Sequence, residues 1–168
     1  MKIKLNKKTV IISAAAILLI AAVIVALLVF GGPKDFRKVA WGMSYDKVKK
    51  VESAPLAREM QDKLIYELDN VEGVKTNCFL NYNFDYRTET SRYELWQANT
   101  GIDVIGFDGN LAKRIVNAFE EKYGEPDEYI ETTTKRDHFW KTERTEIHVE
   151  QLENYILVEY TDINYAVD

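Results

Sequence analysis

Only one cysteine, Cys78, occurs in the 168 residues of this chain. No disulfide can therefore close within it, which excludes a disulfide-stapled secreted domain. In Cys78-Phe79-Leu80 the lone thiol reads as a small buried apolar group, since a nucleophile would want a histidine or a cation beside it. Histidine is almost as scarce, with only His138 and His148. There is no Gly-x-Ser-x-Gly, no phosphate-binding glycine loop, no His-Glu-x-x-His and no Cys-x-x-Cys. Gly106-Phe107-Asp108-Gly109 lacks the spacing of a dinucleotide loop. Carboxylates such as Asp103, Asp108, Glu120, Glu121, Glu125 and Asp127 are plentiful, but no pair stands apart from ordinary surface charge. The chain is read as non-enzymatic and as calling for no cofactor.

Acidic residues are missing before Asp35, whereas Lys2, Lys4, Lys7 and Lys8 open the chain. Between these lysines and Gly31-Gly32-Pro33 lies Val10–Phe30, 21 residues with Ser13 as the one polar side chain. A bilayer core of ~30 Å takes roughly 20 apolar helical residues, so the run is long enough to span. The flank before it is more positive than Lys34, Arg37 and Lys38 diluted by Asp35, which by the positive-inside tendency keeps the N-terminus cytoplasmic. A cleaved signal peptide with a site at Val29-Phe30-Gly31 is the competing reading. The length of the run and the lack of Ala-x-Ala after it favour an uncleaved signal-anchor.

The expected layout is a cytoplasmic tail 1–9, a transmembrane anchor 10–30, a linker 31–40 and an extracytoplasmic domain 41–168 at the cell membrane, single-pass. All 27 acidic residues follow the run, against 18 of the 22 Lys and Arg, for a net charge of −9 (18 minus 27). That balance argues against nucleic acid, whose binding depends on neutralising phosphates.

Beyond the linker, Ser44 is placed to cap a helix carrying Asp46, Val48 and Val51, which Ser53-Ala54-Pro55 ends. Residues 63–98 read as strands. Cys78, Leu80, Tyr82, Phe84 and Tyr86 alternate with Asn77, Asn81, Asn83 and Asp85, the period of a half-buried strand. Arg87–Ser91 reads as a turn, Tyr93–Ala98 as the return strand and Ile102–Phe107 as a separate one. Leu111–Tyr123 has the spacing of an amphipathic helix, with Asn110 as N-cap and Gly124 followed by Pro126 as its stop. Arg136–Trp140, Thr145–Glu150 and Tyr155–Tyr160 complete the strands.

The order helix, stop, strands occurs twice, with prolines at 55 and 126. Gly42-Met43-Ser44-x-x-x-Val48 followed by Ser53-x-Pro55 resembles the helix-start signature of small envelope proteins of the SmpA/OmlA (BamE-like) type. The beta-lactamase-inhibitor-like proteins are similar. Ser53 stands where the family has glycine, and the second unit opens on Asp108-Gly109-Asn110 instead. The resemblance implies helices against an antiparallel sheet and a role in binding other proteins. The expected fold class is α+β: an N-terminal transmembrane helix, then two helices packed on mainly antiparallel sheet. A tandem of two helix–strand units, 41–106 and 107–168, is compatible with it.

Two candidate sites follow. A three-residue turn at 142–144 would set His138 opposite His148, Arg136 opposite Glu150, Trp140 opposite Glu146 and Phe139 opposite Ile147. Facing imidazoles with Glu146 or Glu150 nearby are candidate zinc ligands. A pair of solvated histidines on a polar strand face is the favoured reading, and no metal site is assigned. Second, Trp96, Trp140, Tyr93 and Tyr129 are candidates for an interaction surface, because exposed Trp and Tyr are favoured contact residues. The function expected is a membrane-anchored module binding another envelope protein. A sensory, ligand- or glycan-binding domain using an aromatic surface is the alternative.

Overall fold

A computed structural model describes residues 35–103 and 109–165. They form helices α1 (Tyr45–Val51) and α2 (Gly109–Tyr123) and eight strands. The strands are β1 (Leu56–Glu59), β2 (Lys63–Val71), β3 (Val74–Arg87), β4 (Arg92–Asp103), β5 (Glu128–Glu131), β6 (Lys135–Lys141), β7 (Thr145–Leu152) and β8 (Tyr155–Asp162). All eight join one antiparallel sheet in the order β1-β2-β3-β4-β8-β7-β6-β5. Each half of the sheet is a helix followed by a four-strand meander. The halves meet where β4 pairs with β8, from Gln97↔Thr161 to Asp103↔Tyr155.

One face of the sheet is the core. Tyr82, Ala98, Tyr160, Ile147 and Trp140 are successive cross-strand partners on it, and all are buried. Both helices pack there. Tyr45 of α1 lies 5.1 Å from the ring of Phe84, and Phe119 of α2 lies 5.6 Å from Trp140 and 6.2 Å from Tyr160. Each large side chain buried this way is worth about 1.5–3 kcal/mol. The segment entering α1 fills the same layer. Phe36 sits 4.1 Å from Tyr160 and 6.0 Å from Tyr82, and the Trp41 indole donates to Thr145 Oγ1 at 2.9 Å.

Local chemistry explains the helices. Gly42, in the left-handed region at φ 76°, turns the chain into α1, and Ser44 occupies the N-cap. Its hydroxyl makes no capping bond; its carbonyl instead accepts from Lys47 and Val48 at 3.0 Å. Helix α2 begins at Gly109, so Asn110 lies within its first turn and not at its cap. Ala112, Ile115, Val116 and Phe119 are its buried stripe. It stops at Gly124, whose φ of 89° is the left-handed conformation that ends many helices.

Several expectations require correction. Over the described residues the fold is not two helices on a sheet in an α+β balance, and none of those residues forms a transmembrane helix. It is mostly one eight-stranded antiparallel sheet carrying two short helices. The single-pass anchor over residues 10–30, and with it the cell-membrane placement with an inward N-terminus and an extracytoplasmic domain, is likewise corrected. Among the described residues no helix is long and apolar enough to cross a membrane. The two helices have 7 and 15 residues, short of the roughly 20 a span needs. The run 10–30 lies outside the described residues. The strand expected from Ile102 is the end of β4, which runs unbroken from Arg92 to Asp103; positions 104–108 are also outside the described set. Finally, β1 and β5 were not anticipated. Both are four-residue edge strands exposed along their whole length, so no apolar alternation marks them.

Candidate functional site: the helix-free face of the sheet

Opposite the core, strand alternation presents a second set of cross-strand rows. Asn81, Asn99, Glu159, His148 and Phe139 are successive direct partners from β3 to β6. A parallel row runs Phe79, Gly101, Leu157, Glu150, Asp137. No described element packs over these rows.

Their polar groups are joined into one hydrogen-bonded strip across five strands. Asn83 Nδ2 donates to Gln97 Oε1 at 2.8 Å, and Gln97 Nε2 donates to Glu159 Oε1 at 3.3 Å. Asn81 reaches Asn99 at 3.0 Å, and Asn99 reaches Gln97 Oε1 at 3.3 Å. Glu159 Oε2 then lies 3.5 Å from His148 Nδ1, and His148 Nε2 lies 3.0 Å from Asp137 Oδ1. The strip ends at Lys135, whose ammonium is 2.9 Å from Asp137 Oδ2 and 3.4 Å from Glu150 Oε2.

Electrostatics follow from this packing. Asp137 is 2% exposed. Burial raises its pKa, but the Lys135 ammonium and the His148 imidazole outweigh that and hold it below the ordinary carboxylate value. His148 is pushed above the ordinary histidine range, first by Glu159 and then, against its own burial, by Asp137. Phe139 fixes the imidazole plane: the two rings lie 4.4 Å apart and 5° from parallel.

The expected histidine pair is not assembled. The β6–β7 hairpin pairs Phe139 with His148, Trp140 with Ile147 and His138 with Val149, one residue off the anticipated register. The turn is shorter than assumed. Thr142 N–H donates to the Thr145 carbonyl at 2.9 Å, and Thr142 Oγ1 accepts from Thr145 N–H at 3.0 Å, leaving Glu143 and Arg144 as a two-residue loop. A slip of one residue turns every side chain of a strand to the other face. His138 therefore lies on the core side, between Trp140 at 6.0 Å and Tyr129 at 4.8 Å. Its buried Nδ1 has no hydrogen-bond partner among the described residues, and burial lowers its pKa.

Nor do the four aromatic candidates share a surface. Trp140 is 1% exposed and its indole donates to the Gly124 carbonyl at 2.9 Å, so it belongs to the core. Trp96 is half-buried and stacks on Tyr165 at 4.8 Å. Tyr93 is half-buried, edge-on to Tyr86 and hydrogen-bonded to Gln61. Only Tyr129 is exposed, on the edge strand β5 beside Glu131.

Missed by the sequence reading were Asp137, Glu159, Gln97 and the asparagines as members of one strip. A signal existed: Gln97 and Asn99 flank Ala98, as Asn81 and Asn83 flank Tyr82, marking two adjacent polar strand faces.

On the core side, a cavity of about 230 Å³ opens among Phe36, Arg37, Glu72, Thr100, Lys122 and Tyr160. Its charges are already matched, for Glu72 accepts from Tyr160 at 2.8 Å and from Lys122 at 2.7 Å. Arg37 is likewise engaged by Glu52 at 3.1 Å.

No family model matches the chain, and no curated protein matches it. Among solved structures, the crystal structure of a DUF4309 family protein (YjgB) from Bacillus subtilis is similar, with a TM-score of 0.42 and 11% identity. The match covers 80% of this chain and 90% of that one. A likeness of that degree carries no argument about fold or function.

Proposed function

We propose that this chain is a non-enzymatic binding module that docks a partner protein on the helix-free face of its sheet. The observation that carries the reading is the strip from Asn83 through Gln97, Glu159 and His148 to Asp137, held in place by its own hydrogen bonds and covered by no described element. A surface whose polar groups are pre-ordered loses less freedom on binding than one of loose side chains. Beside the strip, Phe79 is 53% exposed and supplies an aromatic anchor of the kind that dominates protein contacts. Asp137, Glu150 and Glu159 outnumber Lys135 within the strip, so the partner it fits presents basic groups. The resemblance carried by Gly42-Met43-Ser44 and Ser53-x-Pro55 points toward protein binding as well.

The test places a photo-crosslinking residue at Phe79 and, in a second protein, at the exposed Lys113 of α2. A partner captured from Phe79 and not from Lys113 is then purified and titrated with the intact chain. Binding that weakens at least tenfold in both Phe79→Glu and Glu159→Lys supports the proposal. Capture from Lys113 alone, or titrations that both variants leave unchanged, overturns it.

A further inference from the structure

We propose that Asp137, His148 and Glu150 form a binding site for one divalent metal ion of the zinc class, with Lys135 as a built-in cation that competes for it. The inference is independent of the partner reading. Carboxylate and imidazole donor atoms of these three residues all lie within 4.8 Å of one another. Ligands of a single zinc ion, each ~2.0–2.2 Å from the metal, stand up to ~4 Å apart. Closing the set thus asks only a small movement of Glu150, which is half-buried.

Three features aim the cluster at a cation. First, the donors sit on paired strands, with Asp137 directly opposite Glu150, so backbone pairing fixes their spacing. Second, the imidazole is already oriented. Nε2 faces the Asp137 carboxylate, Phe139 stacks on the ring, and Glu159 Oε2 stands 3.5 Å from Nδ1. A carboxylate on the far nitrogen is the arrangement that orients metal-bound histidines and raises their basicity. Third, charge is unbalanced. Asp137, Glu150 and Glu159 bring three carboxylates to the cluster, against which stand only the Lys135 ammonium and the single His148 ring. Its ammonium lies between Asp137 and Glu150, where a metal would bind them both, and its side chain is 39% exposed, free to swing into solvent. Because the face is helix-free, water completes the coordination.

Two ligand types, one imidazole and two carboxylates, suit zinc over calcium, which takes six to eight oxygens. The lysine makes the site a weak one until it moves aside.

The experiment titrates the intact, metal-free chain with zinc chloride by calorimetry, with calcium chloride as control. One zinc per chain is expected, with calcium silent. His148→Ala and Glu150→Gln should each weaken binding at least tenfold, while His138→Ala leaves it unchanged. Lys135→Met should tighten it about tenfold, an effect that a merely structural ion pair would not produce. Circular dichroism confirms the fold of each variant, and Lys135→Met keeps all three ligands should Glu150→Gln fail to fold. No saturable zinc binding in either the wild type or Lys135→Met overturns the proposal, as does binding that survives His148→Ala or is lost with His138→Ala.

Discussion

Phe139 and His148 are direct cross-strand partners, their rings parallel to within 5° and 4.4 Å apart. That pairing decides the character of both sheet faces in the second half of the chain. It sends Trp140 and Ile147 into the core and gathers Asp137, His148 and Glu150 on the open side. With the partners shifted by one, the two histidines would have faced each other and Trp140 would have been paired with Glu146.

The register depends on the Thr142 hydroxyl oxygen, which accepts from Thr145 N–H at 3.0 Å and from Arg144 N–H at 3.4 Å. Thr142→Val keeps the β-branch and removes the acceptor. The expected loss is about 1 kcal/mol in chemical denaturation. Faster amide exchange at Thr145 should accompany it. Unchanged stability and exchange would show that the loop length alone sets the pairing.

Glu52, at the C-cap of α1, has a fully buried carboxylate. It accepts from Arg37 at 3.1 Å, from Tyr82 at 2.7 Å and from the Ser53 and Ala54 amides at 2.7 and 2.9 Å. Burial pushes its pKa up, but these donors prevail and hold it below the ordinary 4.5. A carboxylate lowered on folding adds stability that is present above its unfolded pKa and lost as pH falls through the folded one. The melting temperature should therefore drop as pH is taken below about 4.5, the ordinary Glu value. Glu52→Ala should cost about 3 kcal/mol at pH 7, since Arg37 and Tyr82 lose their shared partner. Its acid sensitivity should be shallower than the wild type's, and an identical pH profile would remove Glu52 from the account.

Gly101 leaves room for its neighbour: the phenol of Tyr155 occupies the space a Cβ would take. Gly101→Ala should cost about 1–3 kcal/mol, the usual penalty of overpacking. In the Tyr155→Ala background the same change should cost little. Additive effects in that double-mutant cycle, read by urea unfolding, would mean the penalty arises elsewhere.

Cys78 is 8% exposed, and burial pushes its thiol up to about 11 from 9.0. Since the thiolate is the reactive form, that rise implies roughly a hundredfold fewer reactive molecules near neutrality. At pH 8 the native chain should react with Ellman's reagent about a hundredfold or more slower than the chain in guanidinium chloride. Comparable rates would place the thiol at the surface.

Local signals carried well where they had a period or a stop. Cys78, Leu80, Tyr82 and Phe84 point inward as their alternation predicts, and Phe79 points out. The amphipathic run of α2 and its end at Gly124 were equally legible, although Ala112 and Val116 join Ile115 and Phe119 in the buried stripe where the spacing pointed to Leu111 and Ala118. Legibility failed at Asp137 and at the histidines, because their faces follow from hairpin register. It failed again at β1 and β5, whose short exposed backbones are strands only because a neighbour supplies the hydrogen bonds.

By itself, then, the sequence determined which segments alternate, which run as an amphipathic helix and where the helices stop, because period, glycine and proline act on the chain locally. Only the tertiary structure decided that β4 and β8 join two meanders into one sheet, and that Asn83, Gln97, Glu159, His148 and Asp137 meet on one face. Those residues come from five strands, and contact between them depends on strand order and on register to a single residue. A period of two along each strand says which residues share a face, but not which face a partner strand will meet.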